Sequence, residues 1–231
     1  AMESGVARIT FDIADAEPTA SRSAPFELNG ITCYAAPGHF MAVSTSPRFS
    51  ATAQPKVVDC SLTRPNPDNG RLISAGGVGL LASGNRKGLS MDRCRIEYNM
   101  DDGISLNVHA RLFKSYPNES SGDYRVAEFS AGPPWRDGDV VQLFDPATGA
   151  IGSFTIETVV PEDAFTDVTV RFTKQAPGMY TDSPTKPTID NSYHAYDVNM
   201  ANRDYVVKNS TFGKNRSNGA VLMSKGTFSG N

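Results

Sequence analysis

Four phrases of this chain share one layout, and that layout restricts the fold more than any other feature of the sequence. They are Asn29-Gly30-Ile31-Thr32-Cys33, Lys56-Val57-Val58-Asp59-Cys60-Ser61-Leu62, Ser90-Met91-Asp92-Arg93-Cys94-Arg95-Ile96 and Tyr205-Val206-Val207-Lys208-Asn209-Ser210-Thr211-Phe212. Each carries a Cys or Ser, usually followed two residues later by a large apolar residue, so that both side chains project from one face of an extended strand. Phrases that recur at roughly one solenoid turn, within the ~20–50 residues of repeat architectures, predict strands stacked in parallel. Helical patterns are nearly absent, since no twelve-residue stretch free of Gly and Pro keeps an apolar stripe of helical period. Parallel strands without crossover helices close most simply as a parallel β-helix, in which each coil buries its apolar face on the next. Cys33, Cys60, Cys94 and Ser210 are then expected to stack inward in neighbouring coils. A β-sandwich is the rival, but it needs regularly spaced hairpin turns.

Such turns are plentiful in one part only, residues 111–187. There Val126-Ala127-Glu128-Phe129, Asp139-Val140-Val141-Gln142-Leu143-Phe144, a run over 151–160 and Asp167-Val168-Thr169-Val170-Arg171-Phe172 read as antiparallel strands, with turns at Arg136-Asp137-Gly138 and Asp145-Pro146-Ala147-Thr148-Gly149. This stretch resembles a small barrel inserted between coils. The expected organisation is β-helix coils over 1–110, an antiparallel β-barrel over 111–187 and continuing coils over 188–231, an all-β fold throughout.

The 20 Gly and 15 Pro fit a chain of many turns, and a formal net charge of −3 without a Lys/Arg block gives no support to nucleic-acid binding. No apolar run approaches the ~20 residues of a membrane span. The expected partner is an uncharged carbohydrate, with no nucleic acid and no membrane, and no cofactor is called for. Three cysteines without CxxC spacing argue against zinc and against a disulfide framework, leaving buried thiols. Both ends read as cut close to a strand pattern, which predicts a piece of a longer protein.

The chemistry-bearing run is Asn99-Met100-Asp101-Asp102-Gly103-Ile104. Adjacent acids on a bend between strands fit general acid/base work on a sugar, a cation site or a solvated turn. A strand with His109 at its end, Ile104-Ser105-Leu106-Asn107-Val108-His109, follows. Phosphate loops, HExxH and Ser/His/Asp arrangements are lacking.

With the repeats, the inserted barrel and the Asp101-Asp102 pair in view, the chain resembles glycoside hydrolase family 110, the α-1,3-galactosidases built on a right-handed β-helix with a barrel insertion, over residues 26–220. Members carry an Asp-Asp pair followed by an Asn-Val-His strand, matched here by Asp101-Asp102 and by Asn107-Val108-His109 after a two-residue insertion. They also carry Asn-Arg-x-x-Gly after the barrel, matched by Asn215-Arg216-Ser217-Asn218-Gly219. The resemblance implies inverting, exo-acting hydrolysis of a terminal α-linked galactose by a secreted or periplasmic protein. It makes Asp101 and Asp102 catalytic, His109, Asn215 and Arg216 substrate-binding, and needs no metal. One departure is Gly76, which stands where the family shows an acid; either the chain is a diverged or inactive member, or another carboxylate, Glu97 or Asp68, takes that role.

Each residue also has a plainer reading. Asp101 and Asp102 can form a turn signal, and Asn215 can cap a coil as a ladder residue. His39 and His194 read as structural, Asp137 and Asp139 as turn residues, and Trp135 as packing a loop on the barrel or stacking on a sugar. Two other functions stay open. One is a non-catalytic carbohydrate-binding or structural β-helix module; the other is a polygalacturonase- or lyase-like enzyme on uronic acids, which would want Arg93, Arg95 and Arg111 at the cleft.

Overall fold

A computed structural model of the chain describes residues 27–36, 38–44, 54–64, 72–108, 110–115, 123–127, 135–161, 167–174, 176 and 193–231. Among them the fold is all-β, and no helix is long and apolar enough to cross a membrane. The first pass of chain gives β1 (Glu27–Asn29), β2 (Thr32–Cys33) and β3 (Met41–Ser44), and the second gives β4 (Lys56–Val58), β5 (Ser61–Leu62) and β6 (Leu80–Ser83). The third gives β7 (Ser90–Asp92), β8 (Arg95–Glu97) and β9 (Ile104–Asn107). Six strands follow: β10 (Ala110–Ser115), β11 (Asp123–Ala127), β12 (Val140–Asp145), β13 (Gly149–Pro161), β14 (Asp167–Phe172) and β15 (His194–Asp197). A fourth pass gives β16 (Tyr205–Lys208), β17 (Thr211–Gly213) and β18 (Ala220–Leu222), and β19 (Gly226–Ser229) begins a fifth.

Corresponding strands of successive passes pair in parallel. They form three sheets, ordered β1-β4-β7-β16-β19, β2-β5-β8-β17 and β3-β6-β9-β18. The corner between the first two sheets recurs in one backbone form. Gly30, Asp59, Arg93, Asn209 and Gly230 all have positive φ, between 51° and 68°. A single left-handed residue turns the chain while its neighbours keep the rungs, as in the bonds from Asp59 N to Asp92 O (3.1 Å) and from Asn209 N to Ser229 O (3.1 Å). Gly, Asn and Asp accept that conformation readily, whereas an Arg there costs ~1–2 kcal/mol. Arg93 recovers part of this by gripping Asp59 of the preceding pass at 2.7 and 2.8 Å, a bond that solvent weakens.

The interior is built from stacked columns. Val57, Met91 and Val207 form one, Leu62 and Ile96 another, and Leu80 and Ile104 a third, all without solvent exposure. Cys60, Cys94 and Ser210 also stack, through bonds from Arg95 N to Cys60 O (2.9 Å) and Thr211 N to Cys94 O (2.8 Å). Cys33 does not join them. It pairs with Leu62, two residues farther on, and Ile31 takes the place beside Cys60. The left-handed corner sets the register, and Gly30 aligns with Asp59, so the first phrase is displaced from the expected alignment.

Strands β10 to β15 form a closed antiparallel barrel, in the order β10-β11-β14-β13-β12-β15. Its last strand, His194–Asp197, lies beyond the boundary expected at residue 187 and seals the barrel by pairing with both β10 and β12. The barrel has its own core. Tyr124 meets Phe113 edge-on at 5.7 Å and Phe172 at 5.2 Å, and Phe154 adds a contact to Phe172 at 5.8 Å. Trp135 is buried here under the Arg111 guanidinium (4.8 Å), where it cannot stack on an external sugar. His194 is buried between the Phe144 and Tyr196 rings.

Asp139, expected to be a turn residue, is instead buried. Arg86, from the link between β6 and β7, grips both its oxygens at 2.6 and 2.5 Å and so ties the barrel to the coils. Asp197 lies in the same buried cluster. Its carboxyl is raised to about 7, by burial first and by the Asp139 charge second, against the Asn199 N–H bond and the Arg86 charge.

Candidate functional site

The site is built on the turns that lead from the second sheet to the third. Residues 98–103 make this turn in the third pass and residues 214–219 in the fourth. The two turns are stacked one rung apart by bonds from Arg216 N to Asn99 O (2.9 Å), Gly103 N to Asn218 O (2.9 Å) and Ile104 N to Gly219 O (3.1 Å). Both turns open on a left-handed residue, Tyr98 (φ 63°) and Lys214 (φ 56°).

A glycine column forms the floor. A Cβ on Gly103 would stand 2.5 Å from Gly219 O and 2.6 Å from Asn215 Nδ2, and one on Gly79 would stand 2.5 Å from Gly103 O and 2.6 Å from Asn99 Nδ2. Only glycine lets successive turns approach this closely under an asparagine side chain. Asn215 Oδ1 accepts from Asn99 N at 3.2 Å, so Asn215 faces its stacked neighbour as a ladder residue.

Asp102 points across the rung. Its Oδ1 accepts from Asn218 N (3.0 Å) and Asn218 Nδ2 (2.9 Å). Burial works to raise its carboxyl, but the bonds from the Asn218 backbone, Ser217 and the Asn218 side chain together hold it below the ordinary value. Asp101 and Arg216 are exposed on the same pair of turns. Asp101, Asp102, Asn215 and Arg216 are therefore gathered on two stacked turns, while His109 and Asp68 lie outside the described residues.

Gly76 is exposed on the turn of the second pass, where its N donates to Ala36 O at 3.1 Å. It presents no side chain to the site. Glu97 is buried and accepts from Arg95 Nε at 2.7 Å; Gly213 lies opposite it, where a Cβ would stand in ordinary contact, 3.6 Å from Glu97 Oε1. Among the described residues no three His, Cys, Asp or Glu side chains gather as a metal site.

Sequence reasoning passed over Tyr98. Its ring carries the Arg64 guanidinium at 4.2 Å and the Lys214 ammonium at 5.0 Å, and its hydroxyl accepts from Lys214 Nζ at 2.8 Å. That hydrogen bond draws the phenol below its ordinary value against the opposing desolvation, and the Lys214 and Arg64 charges add to it. Tyr98 and Lys214 each stand directly before an asparagine, Asn99 and Asn215, and five residues before a glycine, Gly103 and Gly219, which is the signal the sequence held.

No protein-family model matches the chain, and no curated protein matches it.

Proposed function

We propose that the three parallel sheets are a right-handed parallel β-helix, that the barrel is inserted into it, and that the chain is a glycoside hydrolase of α-galactosidase type, inverting terminal α-linked galactose. The observation that carries the reading is the stacking of the Asp101-Asp102 turn on the Asn215-to-Gly219 turn, with Asp102 bound to Asn218 at 2.9–3.0 Å. Asp102 carries the charge that a base taking a proton from water needs, and the same hydrogen bonds fix its orientation while lowering its proton affinity. Asp101, on the bend between the strands, is assigned the protonation of the leaving oxygen; inversion requires the two carboxyls ~6.5–9.5 Å apart. Arg216 and His109 are assigned to sugar hydroxyls, and Asn215 to holding the turn.

The test is hydrolysis of α-1,3-linked galactobiose followed by NMR, in which inversion releases β-galactose first. Asp102→Asn should lower the rate ~10²–10⁴-fold with little change in shape. Wild-type turnover indistinguishable from buffer would defeat the reading, and full activity in both Asp101→Asn and Asp102→Asn would move the chemistry elsewhere. A second reading, a glycan-binding module without turnover, is favoured by Gly76, where an acid is expected, and by the existing engagement of Glu97 with Arg95. Saturable binding of the same disaccharide without hydrolysis would select it.

A further inference from the structure

Arg64, Tyr98 and Lys214 occupy one position in three successive passes, at the point where the chain leaves the second sheet. Parallel rungs lie ~4.8 Å apart, so three side chains of this kind make a short ladder on the outer surface. Its cations differ from those nearby. Arg93 is paired with Asp59 and Asp92, and Arg95 with Glu97. Arg64 and Lys214, by contrast, pair with no carboxylate among the described residues and rest on the Tyr98 ring. Arg64 gives part of its guanidinium to the Tyr98 hydroxyl and, with five N–H donors in all, keeps others for an anion, and an ammonium that gives one proton to a phenol retains two more. Arg216, exposed on the same turn as Lys214, adds a third positive charge.

We infer that Arg64, Tyr98 and Lys214 form an anion subsite beside the Asp101-Asp102 turn, and that it receives a carboxylate or sulfate ester carried by the glycan bound there. The inference rests on the carbohydrate reading and narrows its substrate class. The galactose to be cleaved lies over the carboxylates, and a neighbouring charged unit lies over Tyr98.

The experiment measures binding by calorimetry to the full chain. Its probes are a neutral α-1,3-galactosyl oligosaccharide, the same oligosaccharide bearing a sulfate ester, and one bearing a uronate. A charged probe should bind at least ~10-fold more tightly than the neutral one, and Lys214→Gln and Arg64→Gln should each remove about that factor. Lys208→Gln, an exposed lysine on the first sheet, should leave it intact. In the unmodified chain the preference should shrink as NaCl rises from ~0.05 to ~0.5 M, a readout independent of any variant's folding. The tighter of the two charged probes identifies the group the subsite takes. Neutral and charged probes bound equally, or a preference unmoved by salt and by both substitutions, overturns the subsite and leaves the carbohydrate reading standing. No binding of any of the three overturns both.

Discussion

Replacing Asp197 by Asn should make the protein more stable at neutral and alkaline pH and nearly insensitive to pH in the range where the parent weakens. Asp197 is 2 % exposed and its carboxyl is raised from 3.8 to about 7. A carboxyl whose folded pKa lies above its unfolded one favours the protonated folded state. Its contribution is therefore fully present below about pH 4 and is lost as pH rises to about 7. A displacement of roughly three units at ~1.4 kcal/mol each sets the scale at ~4 kcal/mol. Asparagine is the informative replacement because Asp197 Oδ1 accepts from Asn199 N at 2.7 Å, which an amide oxygen can also do. Urea unfolding between about pH 5 and about pH 8, read from the single buried Trp135, measures the difference directly. The variant should already exceed the parent by ~1–2 kcal/mol near pH 5 and by ~4 kcal/mol near pH 8. A constant gap between the two across this range would refute the buried-charge argument.

Arg86→Ala should cost ~3–5 kcal/mol in the same assay, because it removes the hydrogen-bonded partner of buried Asp139 and leaves only the Arg136 charge near it; a loss below 1 kcal/mol, the scale of an exposed pair, would count against the junction described. Gly103→Ala drives a methyl into Gly219 O and Asn215 Nδ2 and should cost ~1–3 kcal/mol, with an unchanged melting temperature as the contrary result. Burial pushes the Cys94 thiol up to about 11, so a thiol reagent should reach half-buried Cys33 first and Cys60 and Cys94 only as the chain opens. Equal rates at all three would contradict the inward stack.

The strands of the coils were legible because short alternating phrases recur, and the antiparallel stretch because Asp-Gly and Pro-containing turns punctuate it. Register was harder to read. The left-handed corner that sets it is announced by Gly30, Asp59 and Asn209, but Arg93 hides the pattern and the cysteines offer a more conspicuous, misleading alignment. Strand β15 carries no turn signal of its own and pairs with segments far away in sequence. The burial of Asp139 depends on Arg86, 53 residues earlier. The setting of Tyr98 and that of Asp102 depend on residues 116 positions later. Local pattern carries none of these partners, so the Asp pair could be noticed while its surroundings could not.

The inserted barrel also bears on the order in which the chain can fold. Neighbouring strands β4 and β7 meet across 34 residues, Val57 with Met91, whereas β7 and β16 meet across 116, Met91 with Val207. Closing the longer connection as a free loop would cost ~1 kcal/mol more, since each doubling of length adds ~0.6 kcal/mol. The barrel removes the need. Its first and last strands pair directly, Ala110 with Tyr196 and Arg111 with Ala195, so a barrel that closes first brings the two cut ends of the coil together. The third and fourth passes are then joined by a rigid bridge a few residues wide, and rungs distant in sequence become neighbours before they pair.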